Sequence, residues 1–189
     1  MYPFIRMFKE LYLFRKAPRL PVTGTHVSRH RCWPWDIDFW MELNNGRTLT
    51  LYDLGRIPLA QRTGFMAVLR RRKWGLTVAG SVVRYRRRLT NLERIEMQSR
   101  LLGWDHRFIY IEQSMWTKDG TCANHGIFRT ALVGKGKMVP TDDILKELGI
   151  RHIDTAPVPI PYITQREAAP NGCTAASSIS PITILSPIA

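Results

Sequence analysis

The sequence predicts an α+β domain in which an antiparallel sheet curls around one long helix. Three observations lead there: a strand-like segment at about 25–33, a long helical pattern from Gly46 to about Thr63, and four later strand-like segments joined by tight turns. A helix set between a lone strand and an antiparallel meander buries its apolar face when the sheet wraps it, and the sheet buries its own inner face in the same act.

The elements follow in order. Residues 2–15 form a short basic amphipathic helix, with Phe4, Phe8, Leu11 and Tyr12 at helical spacing and Arg6, Lys9 and Arg15 among them. Such a helix can lie on a membrane surface or pack against the domain body, and packing is the expectation. Pro18, Pro21 and Gly24 end it and lead into the first strand. In the long helix, Leu49, Tyr52 and Leu59 can form one buried face, and Asn44 or Asn45 is a suitable N-cap. Pro58 is expected to kink that helix, because it lacks an amide donor and crowds the preceding turn. A second helical piece at 65–72 carries a basic cluster.

Strands are expected at Leu76–Leu89, Glu93–Leu102, Arg107–Thr117 and Thr121–Val133. In the second of these, Ile95, Met97, Ser99 and Leu101 face one way and Glu96, Gln98 and Arg100 the other. Gly103-Trp104-Asp105 and Lys118-Asp119-Gly120 supply the turns on either side of the third. A helix at 141–148 ends at Gly149. The organisation is thus a helix within 1–20, a domain over 21–150 and a tail over 151–189. After Ala156 the tail holds Pro157, Pro159, Pro161, Pro170, Pro181 and Pro187 but only Arg166 and Glu167 as charged residues, and so reads as extended or disordered.

Composition narrows the class. A chain of 189 residues with 44% hydrophobic and 23% charged residues can bury a core of ordinary size. Cys32, Cys122 and Cys173 are widely spaced and form no CxxC pair, which argues against a disulfide framework and a zinc site. His26, His30, His106, His125 and His152 show no metal-ligand spacing, so no metal is expected. No apolar run reaches the roughly eighteen residues a spanning helix needs. No secretory-signal pattern is present either, so a cytoplasmic location is expected, with membrane-peripheral contact through the first helix as its variant.

The net charge of +13 points to an anionic partner: nucleic acid, an acidic membrane surface or a phosphate-rich group such as coenzyme A. The charge is clustered, since Arg70, Arg71, Arg72, Lys73, Arg84, Arg86, Arg87 and Arg88 occur between Phe65 and Thr90 with no acid among them. No nucleic-acid-binding motif accompanies them, so nucleic acid is not the expected partner.

The chemistry concentrates in Asp36-Ile37-Asp38-Phe39-Trp40-Met41-Glu42-Leu43-Asn44-Asn45-Gly46-Arg47. This stretch offers carboxylates just before a helix N-terminus, where unsatisfied N–H groups and the positive dipole end stabilise a developing oxyanion. A carboxylate there can take a proton from water or attack a carbonyl carbon, or it can simply decorate the loop and complement the dipole.

The segment resembles the DxDxxxHxNN signature of the 4-hydroxybenzoyl-CoA thioesterase family of hotdog proteins, in which it joins the first strand to the central helix. It is similar more closely to the thioesterase superfamily member 6-like group. That group shares the D-x-D core with its Asn-Asn pair, the strand Val83-Arg84-Tyr85-Arg86-Arg87-Arg88, and Arg100-Leu101-Leu102-Gly103-Trp104-Asp105. The similarity runs from about residue 22 to 150.

The resemblance implies a hotdog fold and hydrolysis of a fatty or aromatic acyl-CoA, with coenzyme A entering only as part of the substrate. It implies Asp38 as general base or nucleophile, the Asn45 backbone amide as polariser of the thioester carbonyl, and Asn44 as the residue that caps the helix or holds the turn. It also implies a homodimer or higher homo-oligomer. Two positions depart from the pattern: Glu42 stands where histidine is usual, placing a second carboxylate near Asp38, and Met41 stands where glycine is common. The departure at Glu42 keeps a second reading open, a non-enzymatic acyl-binding or membrane-associated scaffold on the same fold. Arg84, Arg86 and Arg88 share one strand face and suit coenzyme A phosphates, or else a solvated edge. Trp33, Trp35 and Trp40 can line an acyl pocket or pack in a core or dimer contact.

Overall fold

The computed structural model describes residues 2–150, so expectations for the tail lie outside the described residues. Helix α1 (Phe4–Leu13) precedes strand β1 (Thr25–Arg31), and a single 3₁₀ turn at Pro34–Asp36 leads toward helix α2 (Asn45–Arg62). Helix α3 (Phe65–Arg72) is followed by β2 (Gly75–Tyr85), β3 (Arg94–Trp104), β4 (Phe108–Trp116), β5 (Cys122–Gly134), the short β6 (Lys137–Val139) and α4 (Thr141–Glu147).

The strands form one antiparallel sheet in the order β1-β3-β4-β5-β2, with β6 paired to β5. The alternation foreseen for β3 holds: Ile95, Met97, Ser99 and Leu101 are buried. They share the core with Leu51, Tyr52, Leu54 and Leu59 of α2 and with Phe128 of β5. This is the sheet-around-helix α+β arrangement. Its closest approach is at Gly55, where an added Cβ would lie 2.4 Å from Ser99 Oγ and 2.7 Å from Met97 Sδ. Only glycine lets α2 settle so deeply into the sheet. Gln113 then reaches up from β4 to donate to the Tyr52 carbonyl and to Ser99 Oγ, both at 2.8 Å, which satisfies its amide N–H groups under the helix.

Pro58 lies inside α2, which runs on to Arg62. Two local expectations change. Strand β2 ends at Tyr85 rather than Leu89, because the N–H groups of both Arg86 and Arg87 turn to the Ala123 carbonyl, at 2.8 and 3.0 Å. Strand β6 was not foreseen; Lys135 and Gly136, at φ 50 and 74, fold the chain back through a turn whose glycine signal is shared by many loops. Cys32 is a buried free thiol.

The first helix does pack on the domain, but with the face opposite to the one its aromatics suggest. Met7 and Glu10 are buried, while Phe4, Phe8 and Tyr12 face outward. The surface it covers is unusual for a strand. The inward residues of β1 are His26, Ser28 and His30, and polar side chains attract polar partners. Ser28 Oγ lies 2.8 Å from His30 Nε2, Glu10 approaches His30 Nδ1 at 3.9 Å, and Arg62 of α2 reaches His26 Nδ1 at 3.2 Å. Burial drives both imidazoles toward the neutral form. His26 falls to about 4 with a contribution from Arg62, and His30 to about 3 with contributions from Arg6, Lys9 and His26.

Candidate active site

The loop between β1 and α2 is built on Asp36, which is wholly inaccessible to solvent. Its carboxylate accepts from Arg6 Nη1 at 2.6 Å, Arg47 Nη2 at 2.7 Å, Arg47 Nε at 3.1 Å and the Trp33 amide at 3.1 Å. Burial pushes this carboxyl up, but the hydrogen bonds from Arg47, Trp33 and Arg6 outweigh it and hold it below the usual range. Asp36 is therefore the structural acid of the pair, tying α1, the loop and α2 together.

Asp38 is placed differently. It is half-buried, and its Oδ1 accepts from the Trp40 amide at 2.8 Å and the Glu42 amide at 3.4 Å. Its own N–H donates to the Glu42 carbonyl at 2.8 Å. These bonds close a tight turn over 38–42 in which Met41 sits at φ 61. That left-handed conformation is the physical reason glycine suits this position. The turn is strapped from outside, since the Leu43 N–H donates to the Leu89 carbonyl at 2.8 Å and Glu42 bridges Thr90.

Asn44 is the N-cap of α2. Its Oδ1 accepts from the Gly46 and Arg47 amides at 2.9 and 3.2 Å, and its carbonyl takes the first helical bond, from Thr48. The cap thus serves the second and third helical N–H groups and leaves the first. Among the described residues no acceptor takes the Asn45 N–H, which stands at the positive end of an eighteen-residue helix.

Asn45 opens onto a cleft of about 220 Å³ between the start of α2 and the end of β2. Glu42, Leu43, Thr48, Tyr85, Asn124 and the segment Arg86–Leu89 complete its lining. Asn124 is fixed by Tyr52, whose hydroxyl donates to Asn124 Oδ1 at 2.5 Å. Burial, with Tyr85 nearby, pushes the Tyr52 hydroxyl well above the ordinary tyrosine value, so it remains a proton donor. A second, larger cleft of about 600 Å³ lies beside α2, where Ile57, Ala60, Met66, Leu69 and Trp74 meet the charged Asp53, Arg56, Arg70 and Lys73.

Several sequence-based assignments are sharpened here. Glu42 and Asn45 line the first cleft, whereas Asp38 does not itself line it. Glu42 does not stand as a second free carboxylate beside Asp38; its Oε2 meets Arg88 Nε at 2.8 Å. The expected common face of Arg84, Arg86 and Arg88 does not form, because β2 has ended before Arg86. Arg86 and Arg88 reach the cleft together with Arg87, while Arg84 stays in the strand opposite His125 and does not line it. Trp33, Trp35 and Trp40 do not line it either; Trp33 and Trp35 stack on each other with centroids 5.2 Å apart. Asn124 and Tyr52 were missed. An asparagine on the same strand face as Phe128 was the available signal, since asparagine is depleted in strands unless its amide has work to do.

A family model, the thioesterase-like superfamily, matches residues 32–162 and so spans the loop, the cleft and most of the sheet. The chain belongs to the thioesterase-like superfamily. Among relatives of this superfamily member, Protein THEM6 of Danio rerio is 31% identical over 103 residues, 54% of this chain and 51% of that protein. The chain spans about half the length of that relative. DHNA-CoA thioesterase from Staphylococcus aureus superposes with a TM-score of 0.60 at 12% identity, covering 76% of this chain and 91% of that one. A Thermus thermophilus thioesterase complexed with coenzyme A and Zn superposes with a TM-score of 0.56 at 20% identity, covering 65% and 90%. The fold of this superfamily member is therefore the hotdog fold.

Proposed function

We propose that this protein is an acyl-CoA thioesterase that hydrolyses a fatty or aromatic acyl-CoA to the free acid and coenzyme A. The observation that carries the reading is the uncommitted Asn45 N–H at the head of α2, facing a cleft with an arginine rim. A thioester carbonyl oxygen accepting that hydrogen bond gains charge as its carbon is attacked, and the helix end stabilises this charge. Asp38 takes a proton from the attacking water, or attacks the carbon itself to form an anhydride that water then opens. In either route the C–S bond breaks, and the sulfur leaves with the electron pair and takes up a proton. Arg86 and Arg88 are the nearest candidates for the phosphates, with Glu42 holding Arg88 in place. The larger cleft beside α2 is the candidate space for the acyl group.

Asp38 does not line the cleft, and in this proposal the 38–42 turn presents it to a site completed by a second protomer. Hotdog sheets suit this: β2 is the terminal strand of the sheet path, and its residues Val78, Val82 and Tyr85 are exposed. A homodimer is therefore part of the proposal.

The test is release of free thiol from acyl-CoAs of graded chain length by wild type, Asp38→Asn and Asn44→Ala. Loss of turnover on the order of a hundredfold or more in Asp38→Asn is expected. Equal rates for wild type and Asp38→Asn would remove Asp38 from the chemistry. Binding without hydrolysis across the panel would replace the proposal with an acyl-binding scaffold.

A further inference from the structure

Helix α1 is held to the domain by one face and leaves a continuous aromatic stripe on the other. The held face is specific. Arg6 donates to Asp36 at 2.6 Å and to the Arg31 carbonyl at 3.0 Å, while Met7 and Glu10 are buried and Glu10 lies 3.9 Å from His30 of β1. At 3.6 residues per turn, Phe4, Ile5, Phe8 and Tyr12 fall within about 100° of arc on the opposite side. They are 60%, 87%, 66% and 63% exposed. Large apolar side chains grouped this way mark a contact surface rather than chance exposure.

The charge around the stripe has one sign. Glu10 is the only acid in residues 2–20, and it is buried. Lys9, Arg15, Lys16 and Arg19 are exposed, and the Arg15 guanidinium lies 3.6 Å from the centroid of the Tyr12 ring.

We propose that α1 is a membrane-surface contact: Phe4, Ile5, Phe8 and Tyr12 enter the interfacial region of an anionic bilayer while Lys9, Arg15, Lys16 and Arg19 meet lipid phosphates. Apolar burial and attraction to anionic lipid act together in such helices. A second copy of the chain is the poorer occupant, because a twofold contact through this stripe would set Arg15, Lys16 and Arg19 against their own copies, while Lys9 already meets Glu10 at 3.3 Å. The anchoring from the far side means that docking needs no unfolding of the helix from the domain. The inference does not depend on hydrolysis at the cleft.

Flotation of the full chain with phosphatidylcholine vesicles, with and without phosphatidylglycerol, tests it. Wild type is expected to float with the anionic vesicles, weakly or not at all with phosphatidylcholine alone, and less as salt is added. The double variant Ile5→Asp/Phe8→Asp should lower vesicle affinity at least about tenfold. Its melting temperature should match wild type, and Met138→Asp, at an exposed site elsewhere, should float normally. Failure of wild type to float with anionic vesicles overturns the proposal, as does undiminished flotation of the double variant. A fall in solution mass in the double variant would overturn it too, by assigning the stripe to a protein contact.

Discussion

Two aspartates separated by one residue have opposite roles, and burial separates them. Asp36 has no solvent access and serves two arginines and a backbone amide, whereas Asp38 is half-buried and accepts only within its own turn. Asp36→Asn leaves Arg6 and Arg47 without their anion, so a loss of about 2–4 kcal/mol of unfolding free energy is expected from denaturant titration. Asp38→Asn should change stability by no more than about 1 kcal/mol while lowering turnover on the order of a hundredfold or more. If the two variants proved equally destabilised, this division of labour would be wrong. At Met41 the side chain pays for a left-handed backbone that the turn requires whatever residue occupies it.

At the level of elements, the docking of α1 on β1 is the feature most sensitive to conditions. His26 and His30 have folded values of about 4 and about 3, below the ordinary 6.5. Between 6.5 and about 4 the unfolded chain therefore binds more protons than the folded one, and stability falls as pH falls through that window. Glu10 acts in the opposite direction: burial raises its carboxyl, so its contribution is greatest at low pH and lost as pH rises, offsetting part of the effect. Asp36, held below 3.8, loses its contribution only beneath that window. Urea midpoints should thus decline as pH is lowered from neutrality toward the bottom of the window, and His30→Gln should flatten the decline. An unchanged slope in that variant would show that the acid response originates elsewhere. Arg6, Lys9, Arg62 and Glu10 are the charged groups around these imidazoles.

For the whole molecule, the proposed homodimer rests on the open edge of β2. An eleven-residue strand paired on one side presents unmatched backbone donors and acceptors, and exposed Val78 and Val82 do nothing to repel a partner. Pairing of two such edges about a twofold axis satisfies both protomers with the same residues. Light scattering is expected to give a mass of at least twice the chain, and Val82→Lys should lower the mass and the thioesterase rate together. A mass unaffected by that change would place the interface elsewhere.

Most of the architecture was legible without coordinates. Period-two burial in β3, the Asp119-Gly120 turn and the helical pattern before α3 each follow from local geometry that the residues themselves impose. Similarity of the Asp36–Arg47 segment to a known family likewise located the loop and the cap. What the chain order could not contain was the set of distances that arise when β5 and β2 close over α2. Only that closure brings Asn124 to Tyr52, turns Arg86 and Arg87 out of the sheet toward Ala123, and pairs Glu42 with Arg88. The exposed face of α1 belongs to the same group. Amphipathic spacing fixed where the aromatics lie on the helix, but the polar inner face of β1 decided which side of that helix would be buried.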